Sequence, residues 1–81
     1  MDRELIDRLL RAVHESGEDS TLDTIARLAH LSPNSVRRGL AAIEIEYPSW
    51  LGSEYDPHPD VQRRRWHLSP QGIEAMRGGG R

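Results

Sequence analysis

Apolar residues recur at helical spacing through the first third of the chain and predict two helices. Between residues 2 and 16 they stand three and four positions apart in a wide stripe, and Gly17 supplies a helix stop directly afterwards. Thr21 is a candidate N-cap for a second helix that ends at His30 and Leu31. The positions of this second helix expected to face inward are Leu22, Ile25, Ala26, Leu28 and Ala29.

Ser32 followed by Pro33 marks the start of a third helix. A serine N-cap accepts a hydrogen bond from an N–H without a helical partner, and proline at the first position gives up a donor that had none anyway. We expect this helix over residues 33–46, although the alternation in residues 43–47 would also suit a strand. Its core positions are Val36, Leu40 and Ile43. The polar side chains left on its opposite side and flanks are Asn34, Ser35, Arg37 and Arg38.

The second half of the chain predicts a hairpin. Residues 48–52 and 61–68 have the composition of short strands, and residues 53–60 form a proline-stiffened connection between them. In the second strand the side chain of Trp66 should face inward, near Trp50, because it alternates with charged positions. The side chains expected on the opposite, solvent-facing side are Arg63, Arg65 and His67.

A second Ser-Pro pair, Ser69 and Pro70, predicts a short C-terminal helix that runs through Met76. Residues 78–81 are almost all glycine, so nothing orders them and we expect a disordered tail. No internal repeat or linker divides the chain, and residues 1–77 are therefore predicted to form one domain.

Composition narrows the possible functions. The chain has no cysteine, which excludes disulfides, thiolate zinc sites and cysteine nucleophiles and makes a cytoplasmic location the default expectation. Its longest apolar run is far shorter than the ~20 residues that a membrane span requires. The four histidines lack metal-ligand spacing and no catalytic grouping has local support. We therefore expect no enzyme, no cofactor and no metal site.

The net charge of −2 argues against a general binder of polyanions. The charge is unevenly distributed, however, because residues 61–81 carry five arginines and one acid while residues 47–60 carry three acids and no arginine. All basic residues other than histidine are arginine, whose planar guanidinium suits bidentate contacts to phosphate or guanine.

The order helix, helix-turn-helix, hairpin, helix resembles a winged helix-turn-helix domain of the MarR/PadR/ArsR kind, found in prokaryotic transcription regulators. The words that carry the resemblance are LDTIARLA at residues 22–29, LSPNSVRRGL at 31–40 and RRWHLSPQG at 64–72. The resemblance implies an α+β fold with a three-helix core, a two- or three-stranded hairpin wing and a short C-terminal helix. The chain departs from the pattern at His30, where many such turns have glycine, and in an acidic wing tip with Glu54, Asp56 and Asp60.

The resemblance also implies a function, namely sequence-specific binding of duplex DNA by a small transcription regulator. The third helix would enter the major groove, with Arg38 reading a base and Arg37 holding a phosphate, while the wing strand would lie on the backbone or in the minor groove. The candidate DNA-binding residues are Ser32, Asn34, Ser35, Arg37, Arg38, Arg63, Arg64 and Arg65. The simpler interpretations are a solvated helix face, with an arginine paired to Glu44, and an edge strand protected from aggregation by its charge.

The pattern leaves three further hypotheses open. The first helix has more apolar positions than one side of a small domain needs, which suggests a homodimer through this helix and the C-terminal helix, unless Leu5 and Leu10 merely cover the hairpin. Ile45 lies off the core face of the third helix and adds to that surplus. The net negative charge and acidic wing tip would suit a winged-helix protein-interaction module without DNA binding. Binding of single strands by Trp50 and Trp66 is a third alternative, for which core packing is the preferred explanation.

Overall fold

The computed structural model describes residues 2–55 and 64–78, and within them the chain forms helices and a hairpin in the expected order. The elements are α1 (Arg3–Ser16), α2 (Leu22–Ala29), α3 (Pro33–Glu46), β1 (Leu51–Tyr55), β2 (Arg64–Leu68) and α4 (Pro70–Met76). The predicted α+β class is confirmed. The predicted connection between the strands began too early, because residues 53–55 of its predicted range 53–60 pair within β1. Residues 56–63, and residues 79–81 of the predicted tail, lie outside the described residues. No helix in the described part of the chain is long and apolar enough to cross a bilayer.

Side-chain caps set the starts of three helices. Asp2 caps α1, where its carboxylate accepts from the Glu4 N–H at 3.1 Å. Both Ser-Pro predictions are confirmed, because Ser32 caps α3 and Ser69 caps α4, each hydroxyl accepting from the N–H three residues later at 3.1 Å. Thr21 occupies the N-cap position of α2 without a capping bond from its side chain. The local sequence signals therefore determine where α3 begins.

The core is built around α1 and α3. α1 packs against α2, α3, α4 and β2, and α3 contributes side chains that are fully buried. The buried apolar residues of these two helices are Ile6, Leu9, Leu10, Ala12, Val13, Val36, Leu40 and Ile43. The surplus apolar face predicted for the first helix is therefore wrong, because four neighbouring elements cover its stripe.

One inward position of α2 was also predicted wrongly. Leu28 is 36% exposed, whereas Ile25, Ala26 and Ala29 are buried. Leu22 is half-buried and packs against the core. The buried positions follow the i, i+3, i+4 and i+7 spacing from Leu22, and Leu28 lies outside that set. The large apolar side chains exposed among the described residues are Leu28 and Ile45.

The hairpin pairs β1 and β2 antiparallel, with Leu51 opposite Leu68 and Ser53 opposite Trp66. The predicted first strand began three residues too early, because residues 48–50 form a turn in which the Trp50 N–H donates to the Tyr47 carbonyl at 3.0 Å. The Trp50 ring stacks on the Tyr47 ring with centroids 3.9 Å apart. Sheet pairing therefore starts only after this turn.

The base of the hairpin is held from two sides. On one side Thr21 forms an isolated antiparallel bridge with Arg65, and the Trp66 N–H donates to the Ser20 carbonyl at 3.1 Å. The buried Ser20 hydroxyl donates to the Trp66 carbonyl. On the other side the Ser69 N–H donates to the Trp50 carbonyl at 3.0 Å. These contacts add a minimal third strand to the wing and tie the hairpin to the connection between α1 and α2.

Candidate nucleic-acid interface

The turn between α2 and α3 contains one residue with an unusual backbone conformation. His30 adopts the left-handed conformation, with φ 58° and ψ 44°, and it is the only residue other than glycine with positive φ in the part of the chain described. The next N–H, from Leu31, donates to the Ala26 carbonyl at 3.0 Å, which ends α2. The left-handed conformation favours glycine because a Cβ atom crowds the backbone there. A histidine at this position therefore costs free energy of folding.

α3 has one buried and one exposed side. Val36, Leu40 and Ile43 are fully buried, whereas the polar residues of its N-terminal half are exposed. The exposed polar residues on this surface, which we call the α3 face, are Ser32, Asn34, Ser35, Arg37 and Arg38. No acid occurs between residues 31 and 43. The positive end of the helix dipole lies at the same end, so this face attracts anions.

The two arginines of the α3 face differ in their surroundings. Arg37 Nη2 donates to the Asn34 side-chain oxygen one turn earlier, which holds its guanidinium along the helix. Arg38 is exposed, and within the described ranges no acid lies in ion-pair distance of it. The predicted pairing of an α3 arginine with Glu44 does not occur among these residues. Arg38 is therefore exposed without an ion pair to an acid of the described residues.

The wing arginines lie in contrasting positions. Arg63 is outside the described residues. Arg64 shares a strand face with Trp66, and its Nη2 donates to both carboxylate oxygens of Glu44 at 2.8 and 2.9 Å. Arg65 points from the opposite face of β2 and is exposed. The hairpin thus presents Arg65 outward and directs Arg64 toward α3.

Sequence reasoning missed Glu44 as the partner of Arg64. The two residues are 20 positions apart, so no local periodicity relates them. One signal was available, because alternation along a strand puts Arg64 on the same side as Trp66, which was expected to face inward. That alternation separates Arg64 from the outward-facing arginine beside it.

The C-terminal turn of α3 has the opposite character to the α3 face. Ile45 is 81% exposed, and Glu46 beside it is exposed as well.

Among residues 2–55 and 64–78, no three His, Cys, Asp or Glu side chains are grouped to hold a metal ion. His58 lies outside those residues. The site therefore consists of a polar, arginine-bearing helix surface with a hairpin beside it.

Comparison with solved structures identifies the fold. The chain superposes on the zinc-responsive MarR family member ZitR from Lactococcus lactis with a TM-score of 0.69 and 18% identity, over 94% of this chain and 49% of that one. A MarR family transcriptional regulator from Silicibacter pomeroyi gives 0.67 and 18%, over 90% and 46%. A putative DNA-binding protein from Ralstonia eutropha gives 0.65 and 18%, over 96% and 95%.

The predicted winged helix-turn-helix fold is confirmed by this similarity. The chain spans about half the length of the two MarR family proteins. It spans nearly the whole of the Ralstonia protein. No protein-family model matches the sequence, and no curated protein sequence matches it.

Proposed function

We propose that this chain is a cytoplasmic, DNA-binding transcription regulator in which α3 enters the major groove of duplex DNA. The observation that carries the proposal is the α3 face, an exposed surface with two arginines and no acid, on a helix whose other side is fully buried. Its fold is shared with a MarR family transcriptional regulator and with a putative DNA-binding protein, which supports the same function. The proposal includes no catalytic activity.

Within the α3 face the residues have different proposed roles. Arg38 reads a guanine through two hydrogen bonds, a contact that contributes on the order of 1–3 kcal/mol of discrimination against other bases. Arg37, held by Asn34, binds a phosphate and sets the register of the helix on the duplex. Ser32 and Ser35 lie at the helix start, where hydroxyl and backbone donors suit a phosphate.

The wing strand supplies the second part of the proposed interface. Arg63 and Arg65 contact the backbone or minor groove, and Arg64 is the third wing candidate from the sequence. The Glu44–Arg64 pair leaves Arg64 with fewer donors for DNA, because its guanidinium already binds a carboxylate.

Fluorescence anisotropy with a labelled random-sequence duplex tests the proposal. The protein should bind at low salt and weaken steeply as salt rises, because binding releases counterions from phosphates. The Arg37→Ala/Arg38→Ala variant should weaken binding strongly. Arg3→Ala/Arg8→Ala, on the exposed side of α1, removes the same charge and serves as the matched control. Equal losses in the two double variants would show that net charge, rather than the α3 face, governs binding.

A protein-interaction module is the second candidate, favoured by the exposed Ile45 beside Glu46 and by the net charge of −2. An exposed apolar residue next to an acid suits a protein partner better than a phosphate backbone. If the duplex does not bind even at low salt, this second function replaces the first.

The homodimer remains a prediction, but its expected surface changes. The apolar stripe of α1 is buried within the monomer, so it offers no basis for pairing through that helix. Leu28 and Ile45 are the large apolar side chains exposed in the described ranges. Light scattering on the purified chain, compared with Ile45→Ser, would show whether a dimer forms and whether Ile45 contributes to it.

A further inference from the structure

The carboxylate of Glu44 connects the last turn of α3 to the wing. It accepts two hydrogen bonds from Arg64 Nη2, and its Oε1 also accepts one from the Trp66 indole N–H at 2.9 Å. Arg64 Nε donates to the Ser53 hydroxyl on β1 at 2.8 Å. The Arg64 guanidinium carbon lies 5.0 Å from the centre of the Trp66 ring. One carboxylate thus binds the side chains of one arginine and one tryptophan from the same strand.

The contacts of Arg64 restrict its position more than they stabilise the fold. Its side chain is 35% exposed and that of Glu44 is 31% exposed, so the pair lies at the rim of the protein rather than in its core. An ion pair in such a position contributes little to folding stability because water and salt screen it. Its main effect is therefore geometric, since it directs the guanidinium toward α3 and neutralises its charge.

We infer that Glu44 is a positioning residue that holds Arg64 against Trp66 and keeps this arginine out of the wing's contact with DNA. The inference rests on the proposed function. It gives Arg64 the role of aligning the wing with α3 instead of binding a phosphate. In this arrangement the carboxylate, rather than the number of arginines in the strand, sets how many phosphates the wing engages.

Salt titrations of duplex binding test the inference, because each phosphate contact contributes about 0.9 to the slope of log affinity against log salt. In Glu44→Ala, Arg64 becomes available to a phosphate and the slope should steepen by about 0.9. Between about 50 and about 200 mM salt, this variant should lose about 3.5-fold more affinity than the parent. Arg64→Ala alone and the Glu44→Ala/Arg64→Ala variant should both keep the parent slope.

Glu46→Ala is the matched control, because it removes an equal charge from the same turn of α3 and leaves the Glu44–Arg64 pair intact. Its slope should equal that of the parent. A flatter slope in Arg64→Ala would overturn the inference, since it would show that Arg64 binds a phosphate while Glu44 is present. An unchanged slope in Glu44→Ala would overturn it too. Absence of duplex binding by the parent would instead contradict the proposed function, and the inference with it.

Trp66 fluorescence provides a readout that needs no DNA. In a Trp50→Phe background Trp66 is the only tryptophan, since the chain has two. Trp66 is buried, so losing its carboxylate partner should shift its emission to longer wavelength and make it easier to quench with acrylamide. Glu44→Ala should produce this change and Glu46→Ala should not. Identical emission in the two variants would show that Glu44 does not position this part of the wing.

Discussion

α3 and β2 each carry two adjacent arginines, and the two pairs have different environments. In α3, successive residues are separated by less than a third of a turn, so Arg37 and Arg38 both remain on the exposed side. In β2, successive side chains point to opposite faces, so Arg65 is exposed while Arg64 faces Glu44. Neighbouring charges on a helix can therefore act together, whereas a strand assigns neighbours to different partners.

The largest expected effect comes from truncating a buried side chain that packs α3 against the core. Leu40 is fully buried, and Leu40→Ala should reduce the free energy of unfolding by about 2–5 kcal/mol through lost burial and a cavity. Urea unfolding measures the loss, and Ile45→Ala is the control on the same helix. Because Ile45 is 81% exposed, its truncation should change stability by less than about 0.5 kcal/mol. Equal losses would mean that the two sides of α3 are assigned wrongly.

Arg38 and Arg65 should differ in what they contribute to DNA binding. On a duplex obtained by selection, Arg38→Ala should lose about 1–3 kcal/mol of preference over random sequence, because it removes a base contact. Arg65→Ala should weaken binding to both duplexes equally, as expected for a phosphate contact. Competition titrations with the two duplexes give both numbers. If Arg38→Ala weakens both duplexes alike, Arg38 binds the backbone and does not read a base.

The turn before α3 should tolerate a stabilising change. His30→Gly removes a left-handed strain of roughly 1–2 kcal/mol, offset by about 0.5–1 kcal/mol of added chain entropy in the unfolded state. We expect a net gain of about 0.5–1 kcal/mol in urea unfolding, with duplex binding unchanged because the direction of α3 is kept. A loss of stability would show that the imidazole contributes contacts that outweigh the strain.

Gly17 is the opposite case to His30, because here the substitution would introduce a side chain at a position with positive φ. Its φ is also 58°, and a Cβ atom there would meet nothing within 4 Å. Gly17→Ala should nevertheless destabilise the fold by roughly 1 kcal/mol, because the backbone conformation itself disfavours a side chain. A neutral result in urea unfolding would mean that the α1–α2 connection adjusts its backbone.

Removing the Arg64 side chain should have only a small effect on folding. Arg64→Ala should change the free energy of unfolding by less than about 1 kcal/mol, since its pair with Glu44 is one-third exposed. Urea unfolding of Arg64→Ala and Arg65→Ala should give similar values. A loss above about 2 kcal/mol, beyond what an exposed pair supplies, would show that Arg64 supports the fold itself.

Sequence reasoning was most successful where the signal lies within one element. The periodicity of α3 and the Ser32-Pro33 start contain all the information needed to place its buried and exposed sides, so the α3 face follows from the chain alone. The same holds for the start of α4 at Ser69 and Pro70. Local hydrogen bonds and helical geometry determine these features, and both can be read from adjacent residues.

The features that were missed depend on distant parts of the chain. The Glu44–Arg64 contact requires the hairpin to return to the end of α3. The covered stripe of α1 requires four packed neighbours. Tertiary packing sets each of these, and no spacing within a single element reports it.

The anchored base of the hairpin should resist local opening. Ser20 holds β2 and Ser69 holds the turn before β1, so both strands are tied to the helical part of the domain. Local opening costs most free energy where hydrogen bonds and buried contacts are densest. The backbone amide of Trp66 should therefore be among the slowest in the hairpin to exchange its hydrogen with solvent.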